Sequence, residues 1–138
     1  GSSNVPFIAG RAGLPLLLVE SALDAALVWQ ESFGKLAAVA LMGNLKGLDT
    51  DTHAFIQAAP LLLAAPDNDE GGQVAWQRWS AAYPQAILVP AVGAKDLGDM
   101  HRAALTWPIN SNIPTVMEWA FSVQAFASHN AITHEFAA

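Results

Sequence analysis

The sequence predicts an α/β protein of three layers, α/β/α, built on a central sheet of four mainly parallel strands. Four apolar runs, Leu16–Val19, Leu36–Met42, Leu61–Ala65 and Ala86–Val89, alternate with segments of helical spacing. Runs that are apolar throughout suit strands buried on both faces, as in parallel sheets. The connecting segments are long enough for helical crossovers, which favour parallel neighbours with helices on both faces. Acidic residues close two of the runs, with Glu20 after Val19 and Asp67 and Asp69 after Pro66. The carboxyl edge of such strands is where open α/β sheets hold their ligands.

Taken in order, residues 1–13 contain Gly10 and Gly13, carry no clear period and read as a lead-in or tag. Gly1-Ser2-Ser3 opens the chain without a methionine, the pattern of a cloning remnant on a piece of something longer. Ser21–Phe33 follows the first strand as a helix, with Leu23, Ala26 and Leu27 at helical spacing and Gly34 suited to a left-handed cap. After the second strand comes the loop Gly43-Asn44-Leu45-Lys46-Gly47, then a short helix capped by Thr50 or Asp51 that ends before Pro60. The third strand leads to a helix from Glu70 to about Ala82, stopped by Tyr83-Pro84. The fourth leads through a glycine-containing turn to a helix over Lys95–Leu105. Residues 14–105 thus form the core. Residues 106–138 form a C-terminal helical extension, a loop to Pro114 and a helix over Thr115–Ser128 with Val116, Trp119, Ala120, Val123 and Phe126 on one stripe.

Composition narrows the function. A chain of 138 residues, 53% hydrophobic and 13% charged, fits one globular domain with an ordinary core. It contains no uninterrupted apolar stretch of the roughly 18 residues that a spanning helix needs, so a membrane role is not expected. Without a visible signal peptide the expected compartment is the cytoplasm. Cysteine is absent, which removes disulfides and thiolate zinc sites. The net charge of −6 argues against tight duplex binding by this domain alone, because phosphate contacts need clustered Lys and Arg.

Charge placement tells more than the total. Glu20, Asp24, Asp67, Asp69, Glu70, Asp96 and Asp99 all fall at predicted strand-to-helix junctions. Acids gathered there repel one another unless a cation compensates. Glu20, Asp67 and Asp69 make a hard-oxygen set suited to Mg²⁺, with Mn²⁺ as an alternative. Asp67 and Asp69, two apart on a turn, can reach one cation directly or through water. The alternative is that Asp69 caps the following helix and Asp67 is a solvated turn residue. Asp96 and Asp99 are either a second acidic patch or first-turn acids favoured by the macrodipole. Asp24, four residues after Glu20 and on its helical face, is read as a helix-start residue ahead of a ligand. Lys46 and Lys95, in loops on the same edge, would face phosphates or simply solvent, and Gly43 and Gly47 would allow close backbone approach or merely serve the loop.

Other chemistries are excluded. His53, His101, His129 and His134 are scattered and form no His-Glu-x-x-His pair, and no serine lies in a Gly-x-Ser-x-Gly elbow. The Gly43-to-Gly47 loop lacks the Gly-Lys-Ser/Thr ending of a P-loop. Trp76, Trp79 and Tyr83 recur at helical spacing and are expected in the core rather than as base-stacking platforms. Trp119, Phe121 and Phe126 are expected to pack on the sheet or to cover a face that meets a neighbouring domain.

Four pieces in order carry a resemblance. They are Leu18-Val19-Glu20-Ser21-Ala22-Leu23-Asp24-Ala25, Ala40-Leu41-Met42-Gly43-Asn44, Pro66-Asp67-Asn68-Asp69-Glu70-Gly71-Gly72 with Ala75 and Trp76, and Lys95-Asp96-Leu97-Gly98-Asp99. Together, over about residues 14–105, they resemble the TOPRIM domain, a Rossmann-like arrangement, and in particular its primase-like branch in phages and mobile elements. The resemblance implies a Mg²⁺-dependent nucleotidyltransferase in DNA replication, which makes primers from nucleotides on a single-stranded DNA template. It implies catalytic roles for Glu20, Asp67 and Asp69, with Glu20 in the metal shell or acting as general acid/base. It implies further metal ligands in Asp96 and Asp99, and neighbouring zinc-binding or helicase domains that grip the template. The family usually places glycine after the glutamate, where this chain has Ser21; a serine narrows the approach to phosphates or adds a hydroxyl contact. The same acids would serve a TOPRIM-type nuclease, and a degenerate module that binds a partner protein is the non-enzymatic alternative.

Overall fold

A computed structural model describes residues 6–41, 45, 48–106 and 112–137, apart from the side chains of 127, 128 and 130–137. Five strands and five helices follow in the order β1 (Phe7–Ala9), β2 (Leu16–Val19), α1 (Ala22–Glu31), β3 (Ala37–Ala40), α2 (Thr50–Gln57), β4 (Leu62–Ala64), α3 (Glu70–Ala82), β5 (Ile87–Leu88), α4 (Leu97–Leu105) and α5 (Val116–Ala137). They make one sheet of order β1-β3-β2-β4-β5. The pairs β2–β3, β2–β4 and β4–β5 are parallel, and β1 runs antiparallel to β3.

The sheet therefore has five strands rather than the four expected, and the addition comes from the segment read as a lead-in. β1 pairs Phe7, Ile8 and Ala9 with Ala40, Val39 and Ala38. Gly10 ends it at φ +119°, where a Cβ would come within 2.7 Å of the Ala37 Cβ and 3.1 Å of the Trp29 ring. Only glycine fits that approach of chain to sheet.

β2 lies at the centre, and each of its four residues is buried. Because strand side chains alternate between faces, the apolar runs feed two cores. Leu17, Val19, Ala38, Ala40 and Leu63 pack with Ala25 and Val28 of α1, Leu97 and Met100 of α4, and Val116, Trp119 and Val123 of α5. Leu16, Leu18, Ala37, Val39, Leu62 and Ala64 pack on the other face with Ile56 of α2, Trp79 of α3 and Tyr83, the C-cap of α3. The result is three layers. Burying a leucine or valine contributes roughly 1.5–3 kcal/mol relative to exposure, so β2 alone carries a large share of the stabilisation.

The helices begin at capping side chains. Ser21, Asp49, Asp69 and Asp96 each accept a bond from the N–H three residues on. Asp49, not Thr50 or Asp51, caps α2, and its Oδ1 lies 2.6 Å from the Thr52 nitrogen. At the end of α1 the left-handed backbone starts at Phe33, φ +56°, one residue ahead of Gly34 at φ +73°. α5 opens with a reciprocal pair: the Thr115 hydroxyl accepts from the Glu118 N–H, and the Glu118 carboxylate accepts from the Thr115 N–H. Four residues of its expected stripe are buried, whereas Phe126 is 53% exposed and lies off it. Among the described residues no helix is long and apolar enough to cross a membrane.

Candidate metal centre

Three aspartates from three separate segments meet at the carboxyl edge of the sheet. Asp24 comes from the first turn of α1, Asp67 from the turn after β4, and Asp96 from the N-cap of α4. Carboxylate oxygens of the three lie within 4.8 Å of one another. Asp24 is 5% exposed, and among the described residues no cationic side chain forms an ion pair with it, which is unusual for a buried aspartate.

Local bonds hold each member. The Gly98 N–H donates to Asp24 Oδ1 at 3.0 Å, which ties α1 to the first turn of α4. Asp96 Oδ1 accepts the Asp99 N–H at 2.7 Å. The Asp67 N–H donates to Glu20 Oε2 at 2.5 Å, which joins the ends of β2 and β4. Asn68 then fastens this turn to the loop before α4: its Nδ2 donates to the carbonyls of Ala91 and Ala94, and its N–H donates to the Lys95 carbonyl at 2.6 Å. Gly72 lets α3 start directly over the turn, since a Cβ there would overlap the Asp67 backbone carbonyl.

Crowding of like charges sets the electrostatics. Burial, followed by the carboxylates of Glu20, Asp96 and Asp24, pushes the Asp67 carboxyl up to about 7, and its hydrogen bond with Glu20 acts in the same direction. The Asp24 carboxyl is also raised, first by burial and then by Asp96, against the lowering effect of the Gly98 N–H and Ser21. A set of hard carboxylate oxygens that resists ionisation on its own is suited to a divalent cation, which removes the repulsion.

The other expected site residues are placed as follows. Glu20 touches Asp67 through its N–H but stands outside the three-aspartate group, and it lines a separate cavity of about 130 Å³ with Leu41, Arg78 and Trp79. Asp69 caps α3, with Oδ1 accepting the Gly72 N–H at 2.7 Å and Oδ2 3.7 Å from Lys95 Nζ. Asp99 pairs with Arg102 on the exposed side of α4. Gly43 and Lys46 lie outside the described residues. Asp24, read from the sequence as a helix-start residue ahead of a ligand, does sit in the first turn of α1 and also joins the three-aspartate group. Its four-residue offset from Glu20 was the available signal. Ser21 adopts an extended backbone, φ −119°, so a glycine's freedom is not required there, and its hydroxyl accepts the Asp24 N–H at 3.1 Å.

No family model, curated protein or solved structure matches the chain.

Proposed function

We propose that this chain is the Mg²⁺-binding catalytic domain of a primase-like protein of the TOPRIM type, acting in nucleotidyl transfer for primer synthesis on single-stranded DNA. The observation that carries the reading is the convergence of Asp24, Asp67 and Asp96 at the carboxyl edge. The five-stranded, mostly parallel sheet and the order of the acids along the chain support it. Asp24, Asp67 and Asp96 would hold the cation, with Asp69 and Glu20 beside them. Bound there, Mg²⁺ supplies neutralisation and orientation of phosphate oxygens, the main demand of phosphoryl and nucleotidyl transfer. Glu20 keeps Asp67 in place through the Asp67 N–H and would serve as general acid/base. Lys95, 55% exposed and 3.7 Å from Asp69, would meet a phosphate group there. With a net charge of −6 in this chain, the template grip would come from an adjoining basic segment or subunit.

The test has two stages. Mn²⁺ added to the isolated chain should broaden NMR signals of Asp24, Asp67 and Asp96 first, and a protein that also carries the template-gripping segments should extend primers from nucleotides in Mg²⁺. Strand cleavage in place of synthesis would assign the same acids to a nuclease. Absence of specific cation binding would reduce the domain to an interaction module.

A further inference from the structure

Beside the aspartate cluster lies an open cleft of about 280 Å³ whose lining is mainly apolar but includes two acids. Trp76, Leu88, Pro66 and Pro90 are its apolar lining residues, and Asp67 and Asp69 line it too. Trp76 differs from the two aromatic residues that share its helical spacing. Trp79 and Tyr83 are 2% and 1% exposed and sit in the core, whereas Trp76 is only partly buried and faces the cleft. Leu88, on the edge strand β5, is 43% exposed at the same place. An indole from a helix and a leucine from a strand, left open to one concavity, form a surface that solvation alone does not favour.

We propose that this cleft is a nucleoside-phosphate subsite in which the base stacks on Trp76, its phosphates lying toward the cation held by Asp24, Asp67 and Asp96. The inference rests on the cation reading above for the phosphate end only. The occupant follows from the two-sided chemistry of the cleft. A base offers planar apolar faces to the indole and the proline rings, and its phosphate tail needs positive charge. Asp67 belongs both to the cleft and to the cluster, so one ligand reaches both. Lys95, 3.7 Å from the lining residue Asp69, adds positive charge nearby. The volume is close to the lower end of small-molecule sites, about 300 Å³, room for a base and sugar with the phosphates outside. Stacking tolerates any base, so the subsite binds without strong base preference.

The experiment is an NMR and calorimetric titration of the 138-residue chain with four probes: adenosine, ATP with Mg²⁺, inorganic tripolyphosphate with Mg²⁺, and a short single-stranded oligodeoxynucleotide. Adenosine should give intermolecular NOEs from its base protons to the Trp76 indole without any cation. ATP should bind tightly only with Mg²⁺, because Asp67 and Asp69 repel bare phosphates. Trp76→Leu should weaken Mg²⁺-ATP roughly 5- to 150-fold, the range expected for one stacked base, while tripolyphosphate binding and Mg²⁺ binding alone stay unchanged. Trp76→Phe should restore most of the loss. NOEs from the oligonucleotide's terminal base in place of those from ATP would assign the subsite to a strand end; NOEs from ATP alone would assign it to the incoming nucleotide. The proposal is overturned if adenosine and both nucleotides give no contact to Trp76 in the wild-type chain. It is equally overturned if tripolyphosphate binds as tightly as ATP. Adenosine contacts that persist in a chain that fails to bind Mg²⁺ would remove the cation reading and leave the base cleft standing.

Discussion

The Glu20 carboxylate accepts the backbone N–H of Asp67 at 2.5 Å, so the ends of the two adjacent strands β2 and β4 are joined by an acid holding another acid in position. Glu20 therefore acts on Asp67 in two ways, through the bond to its backbone and through the negative charge that helps keep its carboxyl protonated. Glu20→Gln retains an acceptor for the N–H but removes the charge. The Asp67 titration, followed by side-chain carbon shifts, should move to lower pH. In a template-gripping protein, primer synthesis should fall by about 10²–10⁴-fold if Glu20 is the general acid/base. Near wild-type synthesis would remove Glu20 from the reaction.

The pH dependence of stability has a definite sign. The Asp67 carboxyl binds its proton up to about 7 in the folded chain and near 3.8 when unfolded, and Asp24 is shifted the same way. Between these values the folded state holds more protons than the unfolded state, so the contribution favours folding at low pH and is lost as pH rises toward 7. Urea midpoints measured without divalent cation should fall over this window and then level off. Asp67→Asn should flatten the slope, and an unchanged slope would contradict the crowding of these carboxylates.

A divalent cation should reverse that loss. At a Mg²⁺ concentration 100-fold above its dissociation constant, linkage adds about 2.7 kcal/mol to stability, visible as a raised Tm. Asp24→Asn, Asp67→Asn and Asp96→Asn should each diminish the response. Asp99→Asn should leave it in place, because Asp99 is engaged with Arg102 outside the group. Equal losses for Asp99 and Asp96 would mean that the cation sits elsewhere along α4.

Two neighbouring glycines should respond oppositely to alanine. At Gly72 the new Cβ overlaps the Asp67 carbonyl, and the required backbone shift should cost about 3 kcal/mol and disturb cation binding as well. At Gly71 the nearest atom is Asp69 Oδ1 at 3.4 Å, an ordinary contact, so alanine there should be neutral or stabilise by about 0.5 kcal/mol. Denaturant unfolding of both variants checks the pair.

Asn68 is expected to govern the placement of Asp96. Asn68→Ala removes the donors to Ala91 and Ala94, at about 1 kcal/mol per bond. Hydrogen exchange should quicken over residues 91–96, and Mg²⁺ affinity should drop although Asn68 itself is outside the aspartate group. Unchanged exchange would show that the loop is held by its apolar contacts alone.

Much of the sheet was legible because β2, β3, β4 and β5 are apolar on both faces, a local pattern that needs no knowledge of partners. β1 was not. Its Phe7 and Ile8 are 40% and 39% exposed, and only pairing with residues some thirty positions later makes it a strand. The site divides in the same way. Asp67 stands out by following an apolar run, whereas Asp96 and Asp69 each read equally as a ligand or a helix-start acid, and both cap a helix. Asp24 reads as one more first-turn acid, because its burial depends on Gly98, 74 positions away. The helical spacing that groups Trp76 with Trp79 and Tyr83 does not reveal that the first of them opens onto a cleft.

The strand order has a consequence for how such a site could change. From β2 the chain winds outward in one direction to β3, then crosses back over β2 to β4 and continues outward to β5. The connections leaving β2 and β4 therefore diverge to opposite faces, α1 to one and α3 to the other, and leave a gap between them. That gap is a product of winding, not of the acids that line it. Its location is fixed by Leu16–Val19 and Leu62–Ala64, while its chemistry is carried by loop and first-turn residues that contribute little to those strands. Replacing the acids would change the chemistry at the same address while the strand order that creates the gap stays, at the cost of the caps and ties that Asp24, Asp69 and Asp96 provide.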